Sequence, residues 1–220
     1  MLKLSPMLDW HKAIADLKGT VDEVHIVSVG GECKELLLVL AGKVSVSSVD
    51  SGSLENGVRV YCVDIMPKAE DDGEYKRSEF CYTIGGAADN IPTPNSQLST
   101  LNSQFLFEPN ASIMKAGCFA ELSQAYGVEA IGPNSHLFVS SGRVEQFPGR
   151  KFAIEAVCTL NKRQLKQTLG TLKQANIAVR NFPMSVAELR KRLKLRDGGD
   201  TYIFATTTME GEHVLIICRK

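Results

Sequence analysis

No run of about eighteen apolar residues occurs in this chain of 220 residues, so no segment reads as a membrane helix. The N-terminus, MLKLSPMLDW, lacks the apolar stretch of a signal peptide. No CxxC pair occurs among the six cysteines, Cys33, Cys62, Cys81, Cys118, Cys158 and Cys218. Several of them sit inside apolar, strand-like runs. That scatter argues against zinc or a disulfide framework and fits reduced, mostly buried thiols of a cytoplasmic protein. The sequon Asn110-Ala111-Ser112 is then idle.

The usual signatures of catalysis are missing as well. There is no GxGxxG, no phosphate-binding GxxxxGKS/T, no HExxH and no GxSxG. The four histidines, His11, His25, His136 and His213, lie far apart with no obvious partners, and read as structural or surface residues. No carboxylate pair stands out. From the residues alone there is no autonomous active site, and no catalytic, cofactor-binding or metal-ligating residue is assigned.

A net charge of zero conceals two opposite halves. Residues 150–220 carry fourteen Lys/Arg against six Asp/Glu, a net of +8. The first 149 residues carry eleven against nineteen, a net of −8. Between Arg150 and Arg196 stand twelve basic residues and only two acids, Glu155 and Glu188. A basic module on an acidic body suggests that one end meets a polyanion.

Elements follow from periodicity. Leu2-Lys3-Leu4 reads as the end of a buried strand, and Leu8 to Leu17 as an amphipathic helix with Trp10, Ala13, Ile14 and Leu17 on one face. Val24–Val29 and the apolar Leu36–Leu40 read as strands, the latter inside a covered sheet. Strand end, helix, strand, strand is the closing portion of an open α/β sheet. Val58–Ile65 and Phe80–Ile84 read as strands joined by the acidic loop 70–74. Gly85 to Gln104 is poor in large apolar residues and predicts a surface connection and domain boundary. Ala111–Tyr126 predicts one helix ended by Gly127.

The last seventy-one residues predict β-α-β-α-β-β. Phe152–Val157 is a strand, and Asn161 caps a helix with the stripe Leu165, Leu169 and Leu172. Ile177–Val179 is a second strand. Ser185-Val186-Ala187-Glu188 is a capping box opening a helix with the stripe Val186, Leu189 and Leu193, which Asp197-Gly198-Gly199-Asp200 stops. Tyr202–Thr207 and His213–Cys218 form a hairpin around Glu210-Gly211. At 100° per residue, Lys162, Lys166 and Lys173 fall within about 40° of each other. Arg190, Lys191, Arg192 and Lys194 cover most of the second helix away from its stripe. Arg180 and Arg196 lie nearby. Charge runs are usually solvated faces, but these helices carry almost no compensating acids. Phosphate contact favours that pattern, so these nine residues are the candidate nucleic-acid-binding set, an RNA-binding set under the resemblance given below.

Three stretches carry a resemblance: KLSPMLDW with GECKELLLVL, FLFEPNASIMKAG with FPGR, and ANIAVRNFPMSVAELRKRLKLRDGGDTYIFATT. Together they resemble the C-terminal half of bacterial class I S-adenosylmethionine-dependent methyltransferases that carry a ferredoxin-like segment and a C-terminal THUMP-like domain. The resemblance implies an α/β protein in three parts. Residues 1–104 would be the tail of a Rossmann-like methyltransferase domain, 105–149 the ferredoxin-like segment and 150–220 a βαβαββ THUMP-like domain. It implies RNA, ribosomal or transfer, as partner, together with the missing N-terminal portion or another copy of the chain. S-adenosylmethionine is the cofactor of the family. Its binding motifs would precede the Lys3-Leu4-Ser5-Pro6 strand end, so none is expected here and the fragment alone should be inactive. The Leu2–Leu4 and Val24–Leu40 surfaces would then be exposed. Two other readings stand beside this one. The chain could be a stand-alone RNA-binding adaptor without catalytic activity. It could also be an enzyme of another class, which would require a titrating His or Cys in a deep pocket.

Overall fold

The computed structural model describes residues 1–41, 57–67, 75–85 and 103–220. The acidic loop 70–74 and most of the connection 85–104 lie outside the described residues. The chain forms two compact units, one of Met1–Ile91 with Asn110–Glu121 and one of Pro92–Pro109 with Leu122–Lys220.

The first unit is built on a mixed sheet. Its elements are β1 (Leu2–Leu4), α1 (Trp10–Asp16), β2 (Val21–Val29), β3 (Glu32–Leu40), β4 (Arg59–Pro67) and β5 (Tyr75–Thr83), with strand order β1-β3-β2-β4-β5. β2 runs parallel to β4, and the other neighbours are antiparallel. Asp9 starts α1 by accepting from the backbone N–H groups of His11 and Lys12. Side chains alternate across the strands, so Val24, Ile26, Leu36, Leu38, Val60 and Cys62 are all fully buried on one face. The expected exposure of the Val24–Leu40 surface therefore does not hold for this face. β1 is not the buried strand end that its sequence suggests: it lies at the sheet edge, with Leu2 exposed as the resemblance implied.

After β6 (Phe105–Pro109), Asn110 caps α2 (Ala111–Ala116), which packs on β2, β3 and β4. The single helix expected over 111–126 is two helices. Gly117 adopts φ +73 and receives the end of α2, and α3 (Phe119–Tyr126) begins two residues later. A left-handed residue ends a helix because its N–H turns back onto the last carbonyls, here that of Ile113 at 2.9 Å.

The second unit contains β6 and adds β7 (Glu129–Ala130), β8 (Phe138–Ser140), β9 (Gly149–Thr159), α4 (Lys162–Leu169), β10 (Asn176–Arg180), α5 (Val186–Leu193), β11 (Thr201–Thr207) and β12 (His213–Arg219). The order β-α-β-α-β-β from β9 onward is the predicted one. All seven strands share one sheet, β10-β11-β12-β9-β6-β8-β7, and only β10 and β11 are parallel. Period-two alternation gives the sheet two apolar faces. Ile203, Ala205, Leu215 and Ile217 pack with Leu169 of α4 and Leu189 of α5. Phe204, Val214, Ile216 and Cys218 face the other way, onto Leu106, Phe152, Ile131 and Leu137.

Three helix details differ from the sequence-based expectation. α4 ends at Leu169, so Leu172 and Lys173 lie beyond it and the helical spacing of Lys173 with Lys162 and Lys166 does not hold. Val186 is exposed and does not belong to the stripe of α5, whose inward residues are Leu189 and Leu193. The helix stops at Lys194, in the left-handed region at φ +58, ahead of the glycines. The capping box forms as expected: the N–H of Glu188 donates to Ser185 Oγ at 3.3 Å, and the Ser185 N–H donates to Glu188 Oε2 at 2.8 Å. Ser185→Ala should therefore cost about 1 kcal/mol. The urea midpoint reads this, and an unmoved midpoint would mean that α5 is held by packing alone.

Candidate nucleic-acid interface

α4 lies over β9 and α5 over β10, both on the same face of the second sheet. Their apolar stripes are turned to the strands, so their charges form one outer layer. Lys162, Lys166, Lys173, Lys191, Arg192, Lys194 and Arg196 are all exposed. Among the described residues none of them pairs with an acid. Arg192 Nη1 lies 3.9 Å from the Met184 sulfur, and the backbone of Arg196 bridges to Lys173 and Ala175. Seven of the nine candidate residues are thus exposed on α4, α5 or the turns that follow them, with Glu188 and Asp197 as exposed acids beside them.

Two candidates are engaged elsewhere. Arg190 is half-buried, donating to the carbonyl of Ala175 at 3.2 Å and to Asp197 Oδ1 at 2.7 Å. It braces the end of α5 and leaves little of its fork for a ligand. Arg180 lies on the opposite face of the sheet. On β10, Ile177 and Val179 face the helices while Ala178 faces away, so Arg180 faces away too.

On that face Arg180 meets a residue that no sequence motif singles out. Glu108, at 7% side-chain exposure, accepts from Arg180 Nη2 at 2.7 Å through Oε1. Its Oε2 accepts from Arg150 Nε at 2.6 Å and from Arg150 Nη2. β10 and β6 are four strand spacings apart, roughly 19 Å in a flat sheet. A 2.7 Å contact between side chains of these strands requires the sheet to curl so that β10 and β6 approach. The signal for Glu108 was present in FLFEP: a carboxylate with the same parity as Leu106 in an apolar strand is rare unless paired.

The histidines and thiols are structural in geometry. The His11 and Trp10 rings meet at a 30° tilt, with centres 3.6 Å apart. His25 stacks on Tyr61 at 4.6 Å and its Nε2 lies 3.0 Å from Glu23. His213 Nδ1 lies 3.0 Å from the Thr207 hydroxyl. The expectation that these residues lack partners is therefore corrected. All six cysteines are free. A hydrogen bond with Cys118, whose sulfur is 4.0 Å away, and burial push the Cys62 thiol up. Burial, aided by Glu155, pushes the Cys218 thiol up to about 12. Both therefore stay protonated and unreactive at neutral pH. Among the described residues no group of His, Cys, Asp or Glu could hold a metal, and no helix is long and apolar enough to cross a membrane.

S-adenosylmethionine is the cofactor that the family resemblance implies. A glycine-rich turn from a strand into a helix lets the backbone approach such a ligand. Here the helices that follow strands begin at Asp9, Asn110, Asn161 and Ser185, and the Gly30-Gly31 turn joins antiparallel β2 and β3.

Comparison with known proteins gives a class and then a relative. Residues 149–220 match the family model described as THUMP domain-like, and residues 105–148 match a ferredoxin-like domain. The whole chain is similar to a crystal structure from Porphyromonas gingivalis W83, of a protein provisionally assigned as a methyltransferase. The TM-score is 0.79 at 32% identity, over 99% of this chain and 50% of that one. The chain thus spans about half the length of that relative. No curated protein matches it.

Proposed function

We propose that this chain is the RNA-recognition part of an RNA-modifying methyltransferase, and that it contacts RNA through the basic layer on α4 and α5. The observation that carries this reading is the concentration of seven exposed basic residues, none paired with an acid among the described residues, on α4, α5 and the turns that follow them. The THUMP domain-like match over the same residues supports it, and so does the similarity to a protein provisionally assigned as a methyltransferase. In this reading the first unit contributes the closing strands of a Rossmann-like methyltransferase sheet. The strand, helix and hairpin of β1, α1, β2 and β3, in the order β1-β3-β2, suit that role. The RNA is ribosomal or transfer RNA, S-adenosylmethionine belongs to the wider family, and the reaction takes place in the cytoplasm.

The test is RNA binding by fluorescence anisotropy at several salt concentrations. Phosphate contacts release counterions, so log affinity should fall with log salt by roughly 0.7 to 0.9 per contact. Replacing Lys166, Lys191 and Arg192 together with Gln should flatten that slope by roughly two to three units and leave stability unchanged, since these charges are exposed. Arg190 is kept because Asp197 and the Ala175 carbonyl depend on it. Coincident curves would reduce the layer to a solvated face. Calorimetry with millimolar S-adenosylmethionine should give no saturable heat with this chain alone.

A further inference from the structure

The second unit carries a polar corner on the face of its sheet away from α4 and α5. Glu108 is the last residue but one of β6, Arg150 the second of β9, and Arg180 ends β10. Each lies two residues from a side chain of the apolar cluster on that face, Leu106, Phe152 and Ala178 respectively. Thr206 of β11 lies two residues beyond Phe204 and is the register partner of Arg180. Strand alternation therefore puts all four on the same face. In register, Arg180 and Thr206 align with the Thr159 end of β9 and Glu108 with its Arg150 end, and the 2.7 Å contact of Arg180 Nη2 with Glu108 spans the two.

Three features make this corner a built site. The first is charge: two guanidiniums share one carboxylate, which leaves the corner net positive. Glu108 engages Arg150 through Nε and Nη2 but Arg180 only through Nη2, and Arg180 Nη1 reaches the Val179 carbonyl at 3.2 Å. Donors therefore remain on both forks among the described residues. The second is unmet polarity. Arg180 Nε and Thr206 Oγ1 are both buried without a hydrogen-bond partner, on neighbouring strands in register, and Thr206 is fully buried. Buried polar atoms are nearly always satisfied, so two together point to a group with oxygen atoms between them.

The third is the backbone around the corner. Asn134, His136 and Asn181 all adopt left-handed conformations, at φ +58, +52 and +49. The Asn181 side chain donates to the Pro133 carbonyl at 2.7 Å, and the Thr207 hydroxyl donates to the Asn181 carbonyl at 2.5 Å. A Cβ on Gly132 would lie 2.2 Å from the Thr207 carbonyl oxygen, so only glycine allows this loop to lie against the end of β11. Such strain persists where surrounding contacts fix it and clusters at ligand sites.

We propose that this corner binds a phosphate group, with Arg150 and Arg180 as ligands, Thr206 as a further hydrogen-bond partner and Glu108 as the residue that positions both arginines. The planar guanidinium fork suits phosphate oxygens. This site is separate from the basic layer on α4 and α5 and does not depend on RNA being its partner.

The experiment titrates inorganic phosphate into the isotopically labelled full chain and follows the amides of His136, Asn181, Thr206 and Thr207 by NMR. Saturable, localised shifts in the millimolar range are expected. Arg150→Gln and Thr206→Val should each weaken binding about tenfold or more, since each removes one hydrogen bond to a charged group. Thr206→Val keeps the side-chain shape and leaves the Glu108 contacts in place, so its effect separates binding from folding. The Lys166, Lys191 and Arg192 variant should bind phosphate as the wild type does. A trinucleotide with a terminal phosphate binding more tightly than its unphosphorylated form would identify a chain end as the source, and equal binding of the two a backbone phosphate. Absence of saturable shifts in the wild type, or titrations of both variants that superimpose on the wild type, would overturn the proposal.

Discussion

Replacing Glu108 with alanine is expected to destabilise the protein by about 2–4 kcal/mol. The carboxylate ties β6 to both β9 and β10, the strands whose approach closes the curl of the second sheet. Removing it leaves two guanidiniums facing each other with no counter-charge between them. Breaking a buried ion pair from one side commonly costs about 3–5 kcal/mol. Here the arginine side chains keep 51% and 39% of their exposure, so water screens part of the loss and the lower range applies. Glu108→Gln preserves shape and one acceptor oxygen, and should cost about half as much. Urea denaturation checks both: the midpoint should fall in that order with an unchanged slope. A midpoint for Glu108→Ala equal to that of the wild type would mean that the curl is held by the apolar cluster alone.

Glu108 also marks the limit of what the sequence discloses. Local features were legible. The capping box at Ser185, the N-cap at Asn161 and the alternation of Tyr202–Thr207 are written within a few residues, and the β-α-β-α-β-β order followed from them. The Glu108–Arg180 contact joins residues 72 positions apart, and only the curl of a seven-stranded sheet makes it possible. Arg180 was grouped with the helix lysines because it is close to them in sequence. Alternation with Ile177 and Val179 already put it on the other face, but which face the helices cover is decided by packing. Lys194 ends α5 in a conformation usually associated with glycine, so Gly198 and Gly199 displaced the predicted stop. Conversely, Gly117 was absorbed into a helical pattern that it interrupts. In the first unit the edge position of β1 depends on β3 pairing between it and β2, a non-local choice that Leu2-Lys3-Leu4 does not encode.

Phe204→Ala should be more costly still than Glu108→Ala, at about 3–5 kcal/mol. Phe204 is fully buried at the centre of the cluster formed by Leu106, Phe152, Ile216 and Cys218. Its ring meets that of Phe152 edge-on with centres 4.9 Å apart, and Phe152 in turn meets Tyr202 at 4.9 Å. Alanine removes the transfer free energy of the ring and leaves a void that these rigid aromatic neighbours can fill only in part. For a chain of this size the loss corresponds to a fall in Tm of about 6–20 °C. The two units allow the effect to be located. Trp10, the single tryptophan, lies in the first unit, whereas Phe204 lies in the second. Far-UV circular dichroism reports both units, and tryptophan fluorescence reports the first. The circular dichroism transition should move to lower temperature, and Phe204→Leu, which fills most of the volume, should recover more than half of the shift. A Tm for Phe204→Ala within about 2 °C of the wild type would mean that the cluster collapses around the void, and that this side of the sheet tolerates repacking far more readily than its burial implies.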